Sequence, residues 1–255
     1  VAGPVSQDGV SVVLTNSGHL FLAEELEEAL GCQVWFENDF VALAHGLDCF
    51  VELLQLGGDS KSGAVSAVLG PGSGLGMATI LREENCLRVL ASEGGHADFA
   101  PGSHLESEIW SVLAMDSKYV SWETVLSGNG LVRLYEAMCQ VWGSKCSNYK
   151  AEDITRLGVS LDDPICHQTL ETFYGILGSA AGNFALTVGA LGGVYLAGSI
   201  VPATSDFAVK SPLRRRFEEK EALDQLLRKV PIFIIRDSSP GLIGVEQCLR
   251  KQLKC

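Results

Sequence analysis

The chain has 255 residues, of which 47% are hydrophobic, and its formal net charge at pH 7 is −12. This length and hydrophobic content are sufficient for one large domain or two moderate ones. The acidic charge and the lack of a basic patch argue against a nucleic-acid-binding protein, since such proteins neutralise phosphates with Lys and Arg. Lys and Arg cluster mainly at residues 214–216, closely followed by two glutamates, which predicts a solvated helix face.

The eight cysteines form no CxxC pair and none lies at zinc-ligand spacing from a histidine. This pattern predicts reduced thiols in a reducing, cytoplasmic compartment. Several cysteines lie in apolar runs, among them Cys49 and Cys166, and we expect most of them to be small core residues. The start of the chain has neither the basic region nor the hydrophobic run of a signal peptide.

Residues 172–205 carry no charge and are long enough to span a bilayer. The segment nevertheless contains seven glycines, and its hydrophobic period changes from helical to extended after Gly192. A buried helix, a turn and a buried strand therefore explain it better than a membrane span.

Hydrophobic periodicity predicts strands and helices that alternate along much of the chain. The predicted strands are residues 10–14, 32–36, 64–69, 77–81, 87–90, 193–197 and 230–235. The predicted helices are residues 22–30, 40–50, 106–114, 122–126, 131–142, 163–191 (in two parts), 213–229 and 241–253. Turns or breaks are expected at residues 15–18, 85, 128–130 and 198–202. The glycine-rich segment 57–63 is a candidate domain boundary.

Residues 69–76, with the sequence Leu-Gly-Pro-Gly-Ser-Gly-Leu-Gly, lie between two predicted strands. Four glycines in seven residues can adopt positive φ and leave backbone N–H groups uncovered, and concave runs of N–H groups bind phosphate. The spacing matches neither the dinucleotide-binding fingerprint nor the Walker loop. A glycine-rich β-hairpin turn explains the segment equally well.

Three polar clusters flank this glycine-rich segment: Asn38 with Asp39, Glu93 with His96, and Glu123. Carboxylates, an amide and an imidazole suit a sugar, since each sugar hydroxyl both donates and accepts a hydrogen bond. An aspartate beside one hydroxyl can also take its proton. Taken singly, each residue has a structural explanation: Asp39 as a helix cap, His96 as a core histidine and Glu123 as a surface acid.

Five segments, in this order, resemble the bacterial-type glucokinase family, in its non-ROK branch. They are residues 36–40 (Phe-Glu-Asn-Asp-Phe), 70–76, 93–101 (Glu-Gly-Gly-His-Ala-Asp-Phe-Ala-Pro), 125–131 and 192–202. The similarity runs from residue 2 to about residue 253, and the segment 93–101 is highly specific. The zinc-binding cysteine cluster of the related ROK group is absent from the sequence.

The resemblance implies an α/β fold of the actin-like ATPase (ribonuclease H-like) type, with a cleft between two domains. Residues 1–49 and 238–255 would form the small domain and residues 50–237 the large one. The implied activity is ATP-dependent phosphorylation of the 6-hydroxyl of glucose, with Asp39 as general base and Mg²⁺ arriving with ATP. The implied partners are glucose and Mg-ATP, with a possible homodimer.

The resemblance also assigns the site residues. The sugar would be held by Asn38, Asp39, Glu93, His96 and Glu123. The nucleotide would be held by Gly72, Ser73, Gly74 and Gly76, as a phosphate loop, and by Gly198 and Ser199, beside the adenosine. No residue of the chain is assigned as a metal ligand.

Two features depart from the family pattern. The family opens with a strand and an Asp-x-Gly-Gly-Thr loop, the first phosphate site, which these 255 residues do not contain. We therefore expect a chain that is cut at its front, binds sugar and turns over poorly. Ser199 replaces the usual second glycine of the adenosine turn, which is a mild change. The alternatives are a catalytically impaired sugar-binding or regulatory protein and a kinase for another hexose, while the glycine spacing disfavours a dehydrogenase.

Overall fold

The computed structural model describes residues 1, 3, 5–6, 8–14, 18–59, 61, 63–83 and 86–253. Over these residues the strands are β1 (Ser11–Val13), β2 (Leu20–Leu22), β3 (Leu53–Leu56), β4 (Ser66–Pro71), β5 (Leu75–Glu83), β6 (Cys86–Ser92), β7 (Val194–Leu196) and β8 (Ile232–Ile235). The helices are α1 (Ala23–Leu30), α2 (Asp39–His45), α3 (His104–Asp116), α4 (Trp122–Val125), α5 (Gly128–Val141), α6 (Ala151–Ser160), α7 (Pro164–Val188), α8 (Ile200–Ala203), α9 (Ser205–Lys210), α10 (Leu213–Glu218), α11 (Asp224–Leu227) and α12 (Pro240–Gln252). Short 3₁₀ turns occupy Leu47–Cys49, Gly94–His96 and Glu221–Leu223.

Six of the strands form one mixed sheet in the order β3-β8-β7-β4-β5-β6. The pairs β4–β7 and β7–β8 are parallel, whereas β3–β8, β4–β5 and β5–β6 are antiparallel. Strands β1 and β2 form a separate antiparallel pair. Segment 57–63 connects β3 to β4, two strands of the same sheet, so the candidate domain boundary at this segment is wrong.

The six-stranded sheet separates two hydrophobic clusters, because neighbouring residues of a strand point to opposite faces. Ala67 and Leu69 of β4 belong to the larger cluster, with residues of α3, α5, α7 and α10. Val68, between them, belongs to the smaller cluster, with Leu43 and Ala44 of α2. Helix α2 therefore lies on the face of the sheet opposite to α7.

Helix α7 begins where the sequence predicts. The Asp163 carboxylate accepts hydrogen bonds from the N–H groups of Ile165 and Cys166, at 2.8 and 3.0 Å, and Pro164 is the first helical residue. The helix is continuous to Val188, so the prediction of two parts is wrong. Its glycines cost helix propensity, about 1 kcal/mol each, but they admit α10, since a Cβ on Gly178 would overlap the Leu213 carbonyl.

Within the described part of the chain, no helix combines the length and the apolar character that crossing a membrane requires. The uncharged segment 172–205 accordingly divides into most of α7, a turn, strand β7 and the short helix α8. The prediction of a buried helix followed by a buried strand is confirmed.

The predicted strand at residues 32–36 is wrong, since residues 33–38 have no regular structure. The Val34 N–H donates to the Glu27 carboxylate at 2.9 Å instead of to a neighbouring strand. The predicted break at residues 128–130 is also wrong, because these residues form the first turn of α5. The Ser127 hydroxyl caps that turn by accepting the Gly130 N–H at 2.9 Å.

The remaining differences concern short elements. The predicted helix 213–229 is divided into α10, a 3₁₀ turn and α11, and the predicted turn 198–202 contains the start of α8. Strands β2 and β3 and helices α6 and α9 were not predicted. Most of the predicted turn 15–18, and the turn at residue 85, lie outside the described residues.

Six cysteines whose side chains the structure describes are free thiols: Cys32, Cys49, Cys139, Cys146, Cys166 and Cys248. Cys139 and Cys166 are buried, but Cys32, Cys49 and Cys146 are exposed, so the expectation that most cysteines are small core residues is wrong. Burial raises the pKa of the Cys166 thiol to about 12, so this thiol stays protonated at neutral pH.

The prediction of a solvated face at residues 214–216 is wrong for two of its three arginines. Arg216 is 9% exposed and its Nη1 donates to the Glu106 carboxylate at 2.5 Å. Arg214 is partly buried and its Nη1 donates to the carbonyls of Leu56 and Val230, at 3.1 and 2.6 Å. Both guanidinium groups can be buried because each donates hydrogen bonds to several acceptors. Acceptors such as Leu56 and Glu106 are distant in the sequence and could not be predicted from neighbouring residues.

The Glu106–Arg216 pair joins α3, α7 and α10. Arg216 Nη2 donates to Ser179 Oγ at 2.8 Å, and the second Glu106 oxygen accepts the Gly102 N–H at 2.7 Å. Glu106 is only 3% exposed. Both charges are therefore desolvated, and Glu106 is the nearer and more buried of the two carboxylates beside Arg216, since the exposed Glu219 lies 3.9 Å from Arg216 Nε.

Replacing Glu106 by Gln removes the buried counter-charge of Arg216 and leaves only the exposed Glu219 beside it. We expect the free energy of unfolding to fall by about 3–5 kcal/mol, measured by denaturant titration. The matched control is Glu108→Gln on the same helix, whose side chain is 48% exposed and which we expect to change stability by less than about 1 kcal/mol. Equal losses for the two variants would contradict the role of the buried pair.

His45, in the last turn of α2, should make stability depend on pH. Burial, and then the charge of Lys251 in α12, lower the pKa of His45 from its ordinary value of 6.5. Below pH 6.5 the His45 imidazole is therefore protonated more readily in the unfolded state than in the folded state. The free energy of unfolding falls as the pH drops below 6.5. Denaturant midpoints at pH 7.5 and 5.5 should differ less in His45→Gln than in the wild type. His104→Gln, at a 90% exposed side chain, should retain the wild-type difference.

Candidate active site

Asn38 and Asp39 lie at the start of α2. Asn38 is the N-cap, because its Oδ1 accepts the N–H groups of Phe40 and Val41 at 2.9 and 3.2 Å. Asp39 is the first helical residue and its side chain is exposed, so the alternative in which Asp39 is the cap is wrong. With Oδ1 engaged in the cap, the amide nitrogen of Asn38 faces away from the helix and can donate to a ligand.

The glycine-rich segment forms the turn of the β4–β5 hairpin, in which Gly70 pairs with Gly76. The tip is closed by a hydrogen bond from the Gly72 N–H to the Gly74 carbonyl at 2.8 Å, with Ser73 exposed between them. The Gly72 carbonyl accepts the N–H of Gly128, at the start of α5, also at 2.8 Å. The β-hairpin interpretation of this segment is therefore confirmed.

Close contacts, and not positive φ, explain the glycines of the hairpin. None of residues 70, 72, 74 and 76 has a positive φ, contrary to expectation. A Cβ on Gly76 would instead lie within the ring of Phe40, and a Cβ on Gly74 would overlap the Glu123 carboxylate. Gly74 and Gly76 therefore lack side chains because Glu123 and Phe40 occupy that space, whereas a Cβ on Gly72 would meet nothing within 4 Å.

Glu93 immediately precedes the 3₁₀ turn Gly94–His96, and His96 is the last residue of that turn, which follows β6. The His96 N–H donates to the Glu93 carbonyl at 3.0 Å, and both side chains are exposed. The turn packs on the hairpin, since a Cβ on Gly95 would overlap the Leu75 carbonyl. On its other side, the Tyr119 hydroxyl donates to the His96 carbonyl at 2.6 Å. His96 is thus a surface residue of a fixed turn, and its interpretation as a core histidine is wrong.

Glu123 contacts both the hairpin and the histidine turn. It lies in α4, whose start is fixed by a capping box between Ser121 and Thr124. Its Oε2 accepts the Leu75 N–H at 2.8 Å, and its Oε1 lies 4.0 Å from His96 Nδ1. The first bond fixes the orientation of the carboxylate, and the second oxygen is left facing the imidazole.

Gly198 and Ser199 follow β7, which is parallel to β4 in the sheet. Gly198 has a φ of +87°, and a Cβ there would overlap the Pro71 carbonyl at the end of β4. Ser199 is exposed at the start of the four-residue helix α8. The two residues therefore lie where the adjacent parallel strands β4 and β7 end, and this edge is where α/β sheets bind ligands.

The structure thus brings the predicted site residues to one edge of the sheet. The β4–β5 hairpin is in contact with Phe40 beside Asp39, with Glu123, with the turn that carries Glu93 and His96, and with Gly198. Sequence reasoning did not single out Phe40, Leu75 or Tyr119, which join these parts. Phe40 and Leu75 lie within motifs of the resemblance, whereas nothing in the sequence distinguishes Tyr119.

A family model and a curated protein are both similar to this chain over nearly its whole length. The model of the family described as Glucokinase matches residues 1–252. A curated glucokinase of Chromobacterium violaceum is 40% identical over 257 residues, which cover 99% of this chain and 73% of that protein.

Two solved structures have folds similar to that of this chain. The crystal structure of a glucokinase from an Antarctic psychrotroph is 34% identical, with a TM-score of 0.85 over 98% of this chain and 79% of that one. A ROK family glucokinase from Streptomyces griseus, solved in complex with glucose and AMPPNP, is 19% identical, with a TM-score of 0.68 over 98% of this chain and 80% of that one. The second likeness shows the fold alone.

The expectation of an actin-like α/β fold is confirmed by these structural neighbours. The resemblance carried by the five ordered motifs is confirmed by the family match along nearly the whole chain. The chain belongs to the glucokinase family.

Proposed function

We propose that the chain transfers the γ-phosphoryl group of ATP to the 6-hydroxyl of glucose, giving glucose 6-phosphate, with Asp39 as the general base. Membership of the glucokinase family supports the reaction. The observation that carries the assignment of residues is the packing of the β4–β5 hairpin. It contacts Phe40, beside the proposed base, and Glu123, beside the proposed sugar ligand His96.

The polar groups around the hairpin match the hydroxyls of a hexose. Asn38 offers an amide donor, because its oxygen is engaged in the cap of α2. Glu93 and the free oxygen of Glu123 offer acceptors, and His96 offers a ring nitrogen. A site of this kind discriminates against sugars that lack a hydroxyl, since the unmatched polar group would lose its partner.

Asp39 is placed to accept the proton of the 6-hydroxyl. Its carboxylate is exposed at the first residue of α2, the helix that packs on the hairpin, and its Oδ1 accepts the Phe40 N–H at 3.0 Å. As the sugar oxygen bonds to the γ-phosphorus, its proton passes to Asp39 and the bond to the β–γ bridging oxygen of ATP breaks. Phosphoryl transfer depends mainly on positioning and charge neutralisation, and both require that Asp39 and the phosphate loop keep a fixed separation.

The tip of the hairpin supplies the proposed phosphate contacts. Among the hydrogen bonds of the described residues, none uses the N–H groups of Ser73 or Gly74, which can therefore donate to phosphate oxygens. Gly198 and Ser199 are proposed to lie beside the adenosine. The described residues contain no cluster of three His, Cys, Asp or Glu side chains that could hold a metal. Mg²⁺ would therefore be held chiefly by the phosphates of ATP, where it would neutralise their charge.

The division into domains stays a proposal. Helix α12 packs against α2, and a Cβ on Gly46 would lie 2.9 Å from the Gly244 nitrogen, which supports placing residues 238–255 with residues 1–49. Domain closure would exclude water from the phosphoryl group, and α2 would keep its place on the β4–β5 hairpin during it, because α2 packs directly on that part of the sheet. We also propose a cytoplasmic location, in line with the free thiols of the described cysteines. A homodimer remains a prediction.

Replacing Asp39 by Asn should lower kcat by about 10²–10⁴-fold, because the amide cannot take the hydroxyl proton. Glucose should still bind within a few-fold of the wild type, measured by calorimetry without ATP. The assay follows glucose 6-phosphate formation with Mg-ATP on the complete translation product of the gene.

The matched control is Asp116→Asn, an exposed carboxylate at the end of α3, which should keep wild-type kcat. A wild-type kcat in Asp39→Asn would show that Asp39 is not the general base. A folded wild-type protein that forms no glucose 6-phosphate would defeat the kinase itself and leave a sugar-binding or regulatory function.

Replacing Gly76 by Ala should displace the Phe40 ring and, with it, the start of α2. We expect a loss of stability of about 1–3 kcal/mol by denaturant titration, as for other overpacked sites, together with a lower kcat. Gly72→Ala is the control for stability alone, since a Cβ at Gly72 meets nothing within 4 Å. If the two variants were equally stable, the contact between Gly76 and Phe40 would not hold α2 in place.

A further inference from the structure

A cavity of about 520 Å³ lies next to the proposed glucose site and takes no part in the proposed reaction. Phe99 and Val120, both buried, line it together with the partly exposed rings of Trp110 and Tyr119. Asp98, Ser107, Ser111 and Lys118 lie among its other lining residues. Its volume is within the range of small-molecule sites, about 300–1,000 Å³.

The cavity and the proposed glucose site share two chain segments, residues 96–101 and 118–123. The segments are paired by hydrogen bonds from the Phe99 N–H to the Val120 carbonyl, at 2.9 Å, and from the Trp122 N–H to the Ala97 carbonyl, at 3.0 Å. His96 and Glu123 lie at one end of this pair, and the cavity lies at the other. A ligand in the cavity would therefore contact the same two segments that position His96 and Glu123.

The polar groups of the cavity are mainly acceptors. The hydroxyls of Ser107 and Ser111 donate to the helix carbonyls of Ser103 and Ser107, at 3.0 and 2.9 Å, so their oxygens face a ligand as acceptors. The Asp98 carboxylate is a further acceptor. A suitable ligand thus presents several hydrogen-bond donors together with an apolar face for the two exposed rings.

We propose that this cavity is a second binding site for a neutral hexose, the same class of molecule as the proposed substrate. The hydroxyls of a pyranose would donate to Asp98 and the serine oxygens, and its C–H face would pack on Trp110 and Tyr119. A nucleotide or sugar phosphate fits less well, since Lys118 is the only cation in the lining and Asp98 opposes a phosphate. The proposed link to catalysis rests on the proposed function, whereas binding in the cavity does not.

Tyr119 provides the link between the two sites. Its ring lines the cavity, and its hydroxyl donates to the His96 carbonyl at 2.6 Å. A hexose on the ring of Tyr119 restricts this side chain and so favours one position of the histidine turn. Tyr119 acts as a positioning residue, because it reaches the substrate only through His96.

Calorimetry with glucose, without ATP, tests the second site on the complete translation product. The wild type should bind two equivalents of glucose, one tightly and one weakly. Trp110→Ala should lose the weak equivalent and keep the tight one. Trp142→Ala is the matched control, because Trp142 is similarly exposed, 45% against 39% for Trp110, and lies outside the cavity lining, at the end of α5.

A second variant keeps the test decisive if Trp110→Ala does not fold. Ser111→Trp fills the cavity from an exposed helix position and should also abolish the weak equivalent. One equivalent in the wild type, or two in either cavity variant with its fold verified by circular dichroism, would overturn the proposal. Absence of glucose 6-phosphate formation is a separate outcome, which would defeat the proposed function without changing the number of equivalents bound.

Tyr119→Phe tests the link, because it keeps the ring and removes the hydroxyl that reaches His96. Both equivalents should still bind. The glucose dependence of the wild-type rate should depart from a single hyperbola, and that of Tyr119→Phe should follow one. A wild-type rate that follows a single hyperbola, or an unchanged departure in the variant, would rule out transmission through Tyr119.

Discussion

The contact between Gly76 and the ring of Phe40 is the constraint on which the proposed chemistry depends. It joins β5 of the large sheet to the first turn of α2, where Asp39 lies. A phosphate loop and a base that moved independently could not hold a hydroxyl in line with a phosphoryl group. The same hairpin fixes Glu123 through the Leu75 N–H, so one rigid element positions groups that lie more than 80 residues apart in the chain.

The sequence predicts this structure well where a signal is local. The helix starts that follow Ser121 and Asp163 and the strands on either side of the glycine hairpin depend on neighbouring residues, and the structure has them. The predictions fail where distant partners decide the outcome. Arg216 is buried because Glu106, 110 residues earlier, neutralises it. Residues 33–38 resemble a strand in composition, but they have no partner strand and stay irregular.

For the candidate site, the motifs identify the residues but not the contacts between them. Glycines 74 and 76 look like a flexible loop in the sequence, whereas the structure explains them by the space taken by Glu123 and Phe40. Tyr119 carries no motif, yet its hydroxyl holds the histidine turn. Contacts of this kind depend on three-dimensional packing, and the pattern of residue types along one chain does not predict them.

Most of the proposed sugar ligands are accessible to water, including Asp39, Glu93 and His96. Bound glucose would cover them, and domain closure would exclude water from the reacting phosphoryl group. The central claim is that these side chains meet on one hexose. A crystal structure of the complete translation product with glucose tests it most directly. The account predicts that an Asp39 carboxylate oxygen lies about 2.6–3.2 Å from the sugar 6-hydroxyl, with Glu123 and His96 on the same ring. A glucose molecule bound elsewhere, or one whose 6-hydroxyl lies beyond reach of Asp39, would contradict it.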